Sequence, residues 1–201
     1  MSTAAITSPE THAEHPVTGV PSYKLAMWIF LGSECFFFGS LIGTYMSLRG
    51  HGKVGPWPHE IFSPAVTSLS TFVLLASSLF MALAVMYAKA KDLRSMTLWT
   101  GATIVGGLFF LGCQVYEFSH FVHEGLTLKS SLFGCTFYVL TGFHGAHVTV
   151  GVLLLCSLLW AARGGHLQDV GLSTEVIGLY WHFVDIVWIL IFTLVYLLEF
   201  A

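Results

Sequence analysis

Residues 65–88 read AVTSLSTFVLLASSLFMALAVMYA and contain no charged side chain. A helix needs about 20 apolar residues to cross a hydrocarbon core of about 30 Å, so this stretch is long enough to span a membrane. It is too long for a barrel strand, and its apolar and polar residues do not alternate with a period of two. A helix also satisfies its own backbone hydrogen bonds in lipid. The stretch therefore predicts a transmembrane helix.

Four further stretches have the same character, and they cover residues 25–48, 96–121, 132–162 and 176–201. Segments rich in glycine, proline and charge separate them. Together the five stretches predict an all-α polytopic membrane protein, a bundle of five transmembrane helices. Residues 1–21 contain no apolar run, so we expect a polar N-terminal tail before a transmembrane domain over residues 22–201.

The composition of the 201-residue chain agrees with this prediction. Hydrophobic residues make up 55% of the chain, charged residues make up 9%, and the mean hydropathy is +0.77. Soluble proteins carry roughly 25% charged residues, so charge is too scarce here to coat a soluble surface. This excludes a soluble enzyme, a disordered chain and a basic nucleic-acid-binding protein.

Two residue patterns inside the spans predict packing. The four cysteines occur singly in apolar stretches, at Cys35, Cys113, Cys135 and Cys156. Without close spacing they are typical of buried small apolar residues, not of disulfides or metal ligands. Gly39-x-x-x-Gly43 in the first span has the small-residue spacing of closely packed membrane helices. We therefore expect a neighbouring helix to approach the first span at these glycines.

Positive residues at the span ends predict the orientation of the bundle. An odd number of spans places the two termini on opposite sides of the membrane. The N-terminal side holds Lys24, Lys89, Lys91, Arg94 and Arg163, and the other side holds Arg49, Lys53 and Lys129. This excess predicts a cytoplasmic N-terminus and a C-terminus outside.

Ionisable residues inside a span cost about 2.5–3.5 kcal/mol each on insertion scales, so each needs an explanation. From a rise of about 1.5 Å per residue, Glu34 and Asp185 lie about 14 Å from the cytoplasmic face, and His182 lies about 9 Å from it. His144 and His147 lie near the middle of the fourth span, three residues apart on one helix face. We predict one buried polar cluster that joins the first, fourth and fifth helices. Two roles remain open for it: holding the helices together by hydrogen bonds, and moving protons.

Glu117 and His120 form a separate polar pair, which we expect near the outer end of the third span and close to water. Their spacing is that of carboxylate di-iron bundles, but such a site needs a second Glu-x-x-His and two further glutamates. A haem would need axial histidines beside a gap of its own size, and bulky aromatic residues flank both His144 and His182. Neither a di-iron nor a haem site is favoured, and we predict no metal site in this chain.

Four motifs resemble subunit III of the haem-copper respiratory oxidases. Residues 29–38, IFLGSECFFF, resemble the family's F-I-x-S-E-x-x-F-F. Residues 136–148, TFYVLTGFHGAHV, are similar to T-F-F-x-x-T-G-F-H-G-x-H-V, and residues 180–188, YWHFVDIVW, to Y-W-H-F-V-D-x-V-W. Residues 114–117, QVYE, stand where the family has Q-x-x-E-Y. The motifs come in family order, and the resemblance covers about residues 22–201.

The resemblance implies a non-redox core subunit that has no catalytic residue and packs against oxidase subunits I and II. Haem and copper are then expected in the partner subunits, and this chain supports assembly, phospholipid binding and proton uptake by subunit I. Glu34 matches the family's reactive intramembrane carboxylate, and Lys24 and Arg163 match basic residues that hold lipid phosphates. Five helices resemble the short bacterial form, which implies a bacterial plasma membrane. That form lacks the two helices that make one wall of the lipid cleft in the longer form.

Several functions remain open at this point. We favour a cytochrome c oxidase, and subunit III of a quinol oxidase is the nearest alternative. An accessory protein of nitric oxide reductase is a further relative. From other classes, a small proton-conducting transporter would use the buried glutamate and histidines, although no inverted repeat is visible. A free-standing membrane metalloenzyme would use Glu117 and His120 as ligands.

Overall fold

The computed structural model describes residues 21–48, 64–123 and 132–197. These ranges form five α-helices and one short π-helical turn, and they contain no strand. The elements are α1 (Ser22–Leu48), α2 (Pro64–Lys89), α3 (Leu93–His123), α4 (Leu132–Arg163), α5 (Val170–Ile191) and the π-helical turn Phe192–Leu197 that continues α5. All five helices are long and apolar enough to cross a membrane. The predicted fold class, an all-α bundle of five transmembrane helices, is confirmed.

The fifth helix begins at Val170, before the apolar stretch that started at residue 176. Asp169 lies in an extended conformation at its N-cap, and its carboxylate accepts a hydrogen bond of 3.0 Å from the backbone N–H of Leu172. An N-cap of this kind satisfies a donor that the first helical turn would otherwise leave unpaired. The helix therefore starts in a polar sequence that hydropathy does not mark. The predicted tail over residues 1–21 lies, apart from Pro21, outside the described residues.

A tight turn joins α2 to α3. Lys91 has a φ of 62°, which places it in the left-handed region. Asp92 then caps α3. Its carboxylate accepts hydrogen bonds from the backbone N–H groups of Arg94, at 3.1 Å, and Ser95, at 3.2 Å. It also accepts a hydrogen bond of 2.6 Å from the Ser95 hydroxyl. The Ser95 hydroxyl and backbone N–H hold the pKa of Asp92 below its ordinary value. The turn brings α2 and α3 into the most extensive helix–helix contact of the bundle.

Helix α5 is the central element, and it packs against α2, α4 and α1. Helix α1 lies at the edge and packs against α4 and α5. Its buried residues are Leu31, Phe38 and Tyr45, which repeat every seven positions. A heptad repeat of this kind keeps one narrow seam of a helix against its neighbours. Residues beside this seam, such as Glu34 and Phe37, are partly buried, and the face of α1 opposite the seam lies away from the bundle.

Trp181 of α5 is buried at 1% exposure in a slot that two glycines make possible. A Cβ added at Gly107 of α3 would lie 2.6 Å from Cη2 of Trp181, and one added at Gly151 of α4 would lie 2.9 Å from its Cε3. The indole N–H donates a hydrogen bond of 3.1 Å to the Ser77 hydroxyl of α2. One side chain thus ties α5 to the three helices α2, α3 and α4.

Two packing predictions were wrong within this chain. Nothing lies within 4 Å of a Cβ added at Gly39 or Gly43, because both glycines face away from the α1 seam. The cysteines are all free, but Cys35 and Cys156 are exposed and the other two are only partly buried. An apolar stretch identifies residues that tolerate lipid, and it does not say which of them face the interior of the bundle.

Candidate functional site

Glu34 of α1 and His147 of α4 form a polar pair inside the membrane-spanning region. His147 Nε2 lies 3.1 Å from Glu34 Oε2, and the two side chains are 18% and 17% exposed. The other ring nitrogen, Nδ1, lies 2.8 Å from the carbonyl oxygen of Phe143. A carbonyl oxygen only accepts, so Nδ1 must carry a hydrogen. The contact with Phe143 therefore selects the tautomer of His147.

This tautomer determines the proton content of the bond to Glu34. With Nδ1 protonated, a hydrogen bond between Nε2 and Oε2 requires one more proton, on the imidazolium or on the carboxylic acid. A neutral ring beside a carboxylate would place two lone pairs against each other. Both bonded forms of the pair are electrically neutral overall, which suits a low-dielectric site. The pair can therefore hold one proton and pass it between oxygen and nitrogen.

Aromatic side chains surround this pair. The Phe38 ring meets the His147 ring edge-on at 4.9 Å between centroids. The hydroxyl of Tyr180, on α5, donates a hydrogen bond of 3.1 Å to the carbonyl oxygen of His147. These contacts fix the local α4 backbone and connect the pair to α5. They also limit the polar groups available to compete for the shared proton.

His144 occupies a different environment, although it lies on the same helix. Its ring is fully buried, stacks on Trp188 at a centroid distance of 4.7 Å, and meets Phe110 edge-on at 5.7 Å. Neither ring nitrogen has a hydrogen-bond partner among the described residues. Trp188 itself donates a hydrogen bond of 3.0 Å to Thr71 of α2. His144 is therefore held by aromatic packing.

His182 and Asp185 of α5 face α2. His182 Nδ1 lies 2.6 Å from the hydroxyl of Ser78, and its ring is partly exposed. Asp185 is 3% exposed, and neither carboxyl oxygen has a hydrogen-bond partner among the described residues. Of the five residues in the predicted cluster, the structure joins Glu34 and His147 directly. Ser78, which sequence reasoning missed, is the partner of His182.

Glu117 and His120 are not a pair at the water interface. Glu117 is 6% exposed and accepts a hydrogen bond from the Thr67 hydroxyl of α2, whereas His120 is exposed. Our expectation that both side chains lie close to water was wrong for Glu117. Three positions put the two residues about 60° apart around α3, so that Glu117 reaches α2 while His120 lies at the exposed edge of the same face. Thr67 lies at the start of α2 in the apolar stretch, and no sequence signal connected it to Glu117.

Gln114, one turn before Glu117, links α3 to α4. Its side-chain amide donates a hydrogen bond of 2.8 Å to the carbonyl oxygen of Thr141. A Cβ added at Gly145 would lie 2.7 Å from the amide oxygen of Gln114, so the glycine leaves room for this bond. The sequence analysis used Gln114 only as part of a motif and predicted no contact for it. Gly145, a glycine inside an apolar helix, was the feature that could have indicated a close approach by another side chain.

A charged cluster joins three helix ends on one side of the bundle. The Glu175 carboxylate of α5 forms ion pairs with two lysines. Its oxygens lie 2.6 Å from Nζ of Lys24 on α1 and 3.1 Å from Nζ of Lys89 on α2. Sequence reasoning missed Glu175. The contact places the start of α1, the end of α2 and the start of α5 together, as five alternating spans require. Lys24 thus has a carboxylate partner within the chain.

Arg163, the other basic residue expected to hold lipid, lies at the end of α4 between two open cavities. One has a volume of about 510 Å³ and is lined by Arg163 with Cys156, Leu159, Trp160 and Gly164. The other has a volume of about 340 Å³, and Arg94 from the start of α3 also lines it. Two cations on one cavity favour an anionic headgroup.

The spacing of the metal-binding side chains in the described residues shows whether they could hold a metal ion. No three histidine, cysteine, aspartate or glutamate side chains in these ranges approach closely enough to hold a metal ion. The His144 ring lies against Phe110 and Trp188, whereas the His182 ring is bonded to Ser78 of α2. These residues do not fit a pair of haem ligands, because their rings are engaged in separate packing environments.

Comparison with known proteins identifies the family. The family described as cytochrome c oxidase subunit III matches residues 4–200. The chain is 42% identical over 176 residues to cytochrome c oxidase subunit 3 of Bacillus sp. (strain PS3), covering 87% of this chain and 84% of that protein. It is 38% identical over 197 residues to quinol oxidase subunit 3 of Bacillus subtilis (strain 168), covering 93% and 97%. This chain therefore belongs to the cytochrome c oxidase subunit III family, and it is a multi-pass membrane subunit of an oxidase complex.

Proposed function

We propose that this chain is the non-redox core subunit III of a proton-pumping haem-copper oxygen reductase. In this proposal the chain supports assembly of the complex and proton uptake by subunit I, and it carries no catalytic residue. The match to the subunit III family over residues 4–200 carries the subunit assignment, and the Glu34–His147 bond of 3.1 Å inside the membrane-spanning region carries the role in proton uptake. A pair that holds one proton in both of its bonded forms can supply or accept that proton without leaving a net charge in lipid.

The partners and cofactors follow from the same proposal. Subunits I and II are the expected neighbours, and haem and copper belong to them. Haem and copper would supply electron transfer and oxygen reduction. The residues of this chain would contribute packing surface and a proton-holding pair.

The electron donor is proposed to be cytochrome c, with quinol as the alternative. Relatives at 42% identity are named cytochrome c oxidase subunit 3, in Bacillus sp. (strain PS3) and Bacillus subtilis. The quinol alternative has its own support, because the 38% match to a quinol oxidase subunit 3 covers 97% of that protein. The donor site would lie on other subunits in either case.

A phospholipid site is proposed at the charged end of the bundle. Arg163 and Arg94 line one cavity there and would hold a lipid phosphate, while apolar residues of α4 extend from it towards the membrane interior. Lys24 would contribute through its position on the same side, where it also bonds Glu175. We propose that this side faces the cytoplasm of a bacterium, with the C-terminus outside, because five of the eight basic residues belong to it.

The first experiment is purification of the complex through an affinity tag on this chain, followed by a reduced-minus-oxidised spectrum. Haem in the preparation, together with subunits I and II, would support the proposal, and the haem type would help to assign the donor. If the chain purified without haem and conducted protons in vesicles on its own, the transporter alternative would replace the oxidase proposal.

The role of the pair is tested in the same preparation. Glu34→Gln and His147→Gln should each slow proton uptake during turnover, with haem content unchanged. Ser33→Ala is the matched control, because Ser33 is exposed on α1 and, among the described residues, its hydroxyl bonds the Phe30 carbonyl of its own helix. Normal proton uptake in both variants of the pair would contradict the proposed role.

A further inference from the structure

The interface between α2 and α5 contains a carboxylic acid that the proposed function does not use. Asp185 is 3% exposed, and neither of its oxygens has a hydrogen-bond partner among the described residues. A carboxylate buried without a donor or a cation is strongly destabilised relative to its neutral acid. The Asp185 carboxyl therefore either holds a proton or needs a positively charged partner that a small movement of neighbouring side chains brings to it.

Ser78 of α2 is the group that can supply such a connection. Its hydroxyl lies 2.6 Å from Nδ1 of His182, and it also interacts with the Asp185 carboxyl, although outside the geometry of a regular hydrogen bond. A hydroxyl donates one hydrogen and accepts others, so it can bond an acid on one side and an imidazole on the other. His182 is partly exposed, whereas Asp185 is buried. The three side chains thus run from the surface of the bundle to its interior.

We infer that Asp185 is a second proton-binding site of this chain, which is filled and emptied through Ser78 and His182. In the filled form, the Asp185 O–H donates to Ser78 Oγ, and the Ser78 hydroxyl donates to Nδ1 of a neutral His182. In the emptied form, Nδ1–H of an imidazolium donates to Ser78 Oγ, and the Ser78 hydroxyl donates to the Asp185 carboxylate.

The two forms contain the same atoms and one shared proton. On passing from the filled to the emptied form, the Asp185 O–H and Ser78 O–H bonds break, and a new Ser78 O–H bond and a His182 N–H bond form. A proton then passes from Nε2 of His182, the ring nitrogen that does not contact Ser78, to water or a headgroup at the surface of the bundle, and the Ser78 hydroxyl continues to donate to the Asp185 carboxylate. Both forms are neutral until that step, so no isolated charge is created at Asp185 during the transfer.

The other titratable groups around α5 are engaged elsewhere. On α4, His144 stacks on Trp188, and His147 bonds Glu34 of α1. On α2, Lys89 bonds Glu175 at the charged end of the bundle. The Ser78 hydroxyl is therefore the polar contact through which a proton can reach Asp185 from a titratable neighbour in the described ranges.

The test is infrared spectroscopy of the purified oxidase complex that contains this chain, during exchange from H₂O to D₂O. A protonated carboxyl has a C=O band that shifts when its hydrogen is replaced by deuterium. We expect Asp185→Asn to remove one such band and Glu34→Gln to leave that band in place. Carbon-13 labelling of aspartate should shift the same band, which identifies it as the band of an aspartate carboxyl.

The route is tested by exchange rates in complexes that keep Asp185. Ser78→Ala should slow deuteration of the Asp185 band by roughly tenfold or more, a factor that corresponds to about 1.4 kcal/mol of barrier. Ser78→Thr retains a hydroxyl and should restore the rate, and Ser68→Ala, on the exposed face of α2, should leave it unchanged. The absence of a protonated-aspartate band would overturn the site. An unchanged rate in Ser78→Ala would overturn the route.

Discussion

Gly107→Ala should destabilise the bundle far more than the addition of a single methyl group suggests. The added Cβ would lie 2.6 Å from Cη2 of Trp181 and 3.0 Å from Cγ2 of Val152. Carbon atoms in contact normally lie about 3.5–4.0 Å apart, so one side must move by about 1 Å. Trp181 cannot retreat freely, because Gly151 of α4 contacts its other edge.

The magnitude follows from two costs. Overpacking a well-packed core costs about 1–3 kcal/mol. A shift of the indole also strains its hydrogen bond to Ser77, which now measures 3.1 Å and contributes about 1 kcal/mol. We therefore expect the free energy of unfolding to fall by about 2–4 kcal/mol. Denaturant unfolding of the purified complex in mild detergent, followed by tryptophan fluorescence, measures this change.

Gly112→Ala is the matched control on the same helix. Nothing lies within 4 Å of a Cβ at that position, so its effect should stay within about 1 kcal/mol and favour the helix. Trp181→Phe shortens the ring that Gly107→Ala meets, and the double variant should lose less stability than the sum of the two single variants. If Gly107→Ala were as stable as Gly112→Ala, the argument that the Trp181 slot requires glycine would be refuted.

Three further predictions concern polar contacts. A double-mutant cycle with Glu34→Gln and His147→Gln should give a coupling free energy of about 0.5–3 kcal/mol in the same unfolding assay, and strict additivity would contradict a direct bond. Asp169→Ala should lower the free energy of unfolding by about 1 kcal/mol through loss of the α5 N-cap, with Asp169→Asn close to wild type. Glu175→Gln removes two partly exposed ion pairs and should lower the free energy of unfolding by less than about 1 kcal/mol at low ionic strength. A loss of stability that persisted in molar salt would show that screening does not control this contact.

The helices were predictable from sequence because the bilayer imposes one length on every span. Apolar stretches of about 20 residues have one stable backbone conformation in lipid, and the helix bounds follow from where those stretches end. The error at the start of α5 arose where a side chain decided the boundary. Asp169 caps a polar first turn that hydropathy treats as a loop.

The polar contacts were only partly predictable. Depth along the membrane normal follows from the rise per residue, and it brought Glu34 and His147 to comparable levels before their bond was known. Direction around the helix axis does not follow from one sequence. For this reason His182 was grouped with α1 and α4, although it bonds Ser78 of α2, and Glu117 was paired with His120, although it bonds Thr67.

The sequence by itself determined that this chain spans a membrane five times, and its motifs carried the family resemblance that the comparisons then established. Both properties are local, since hydropathy and motif spacing are read along one chain. Only the tertiary structure decided which side chains meet: that Phe143 selects the tautomer of His147, that glycines make room for Trp181, and that Asp185 is enclosed beside Ser78. Those contacts depend on how each helix is rotated against its neighbours, and that rotation is set by the packing of all five helices together.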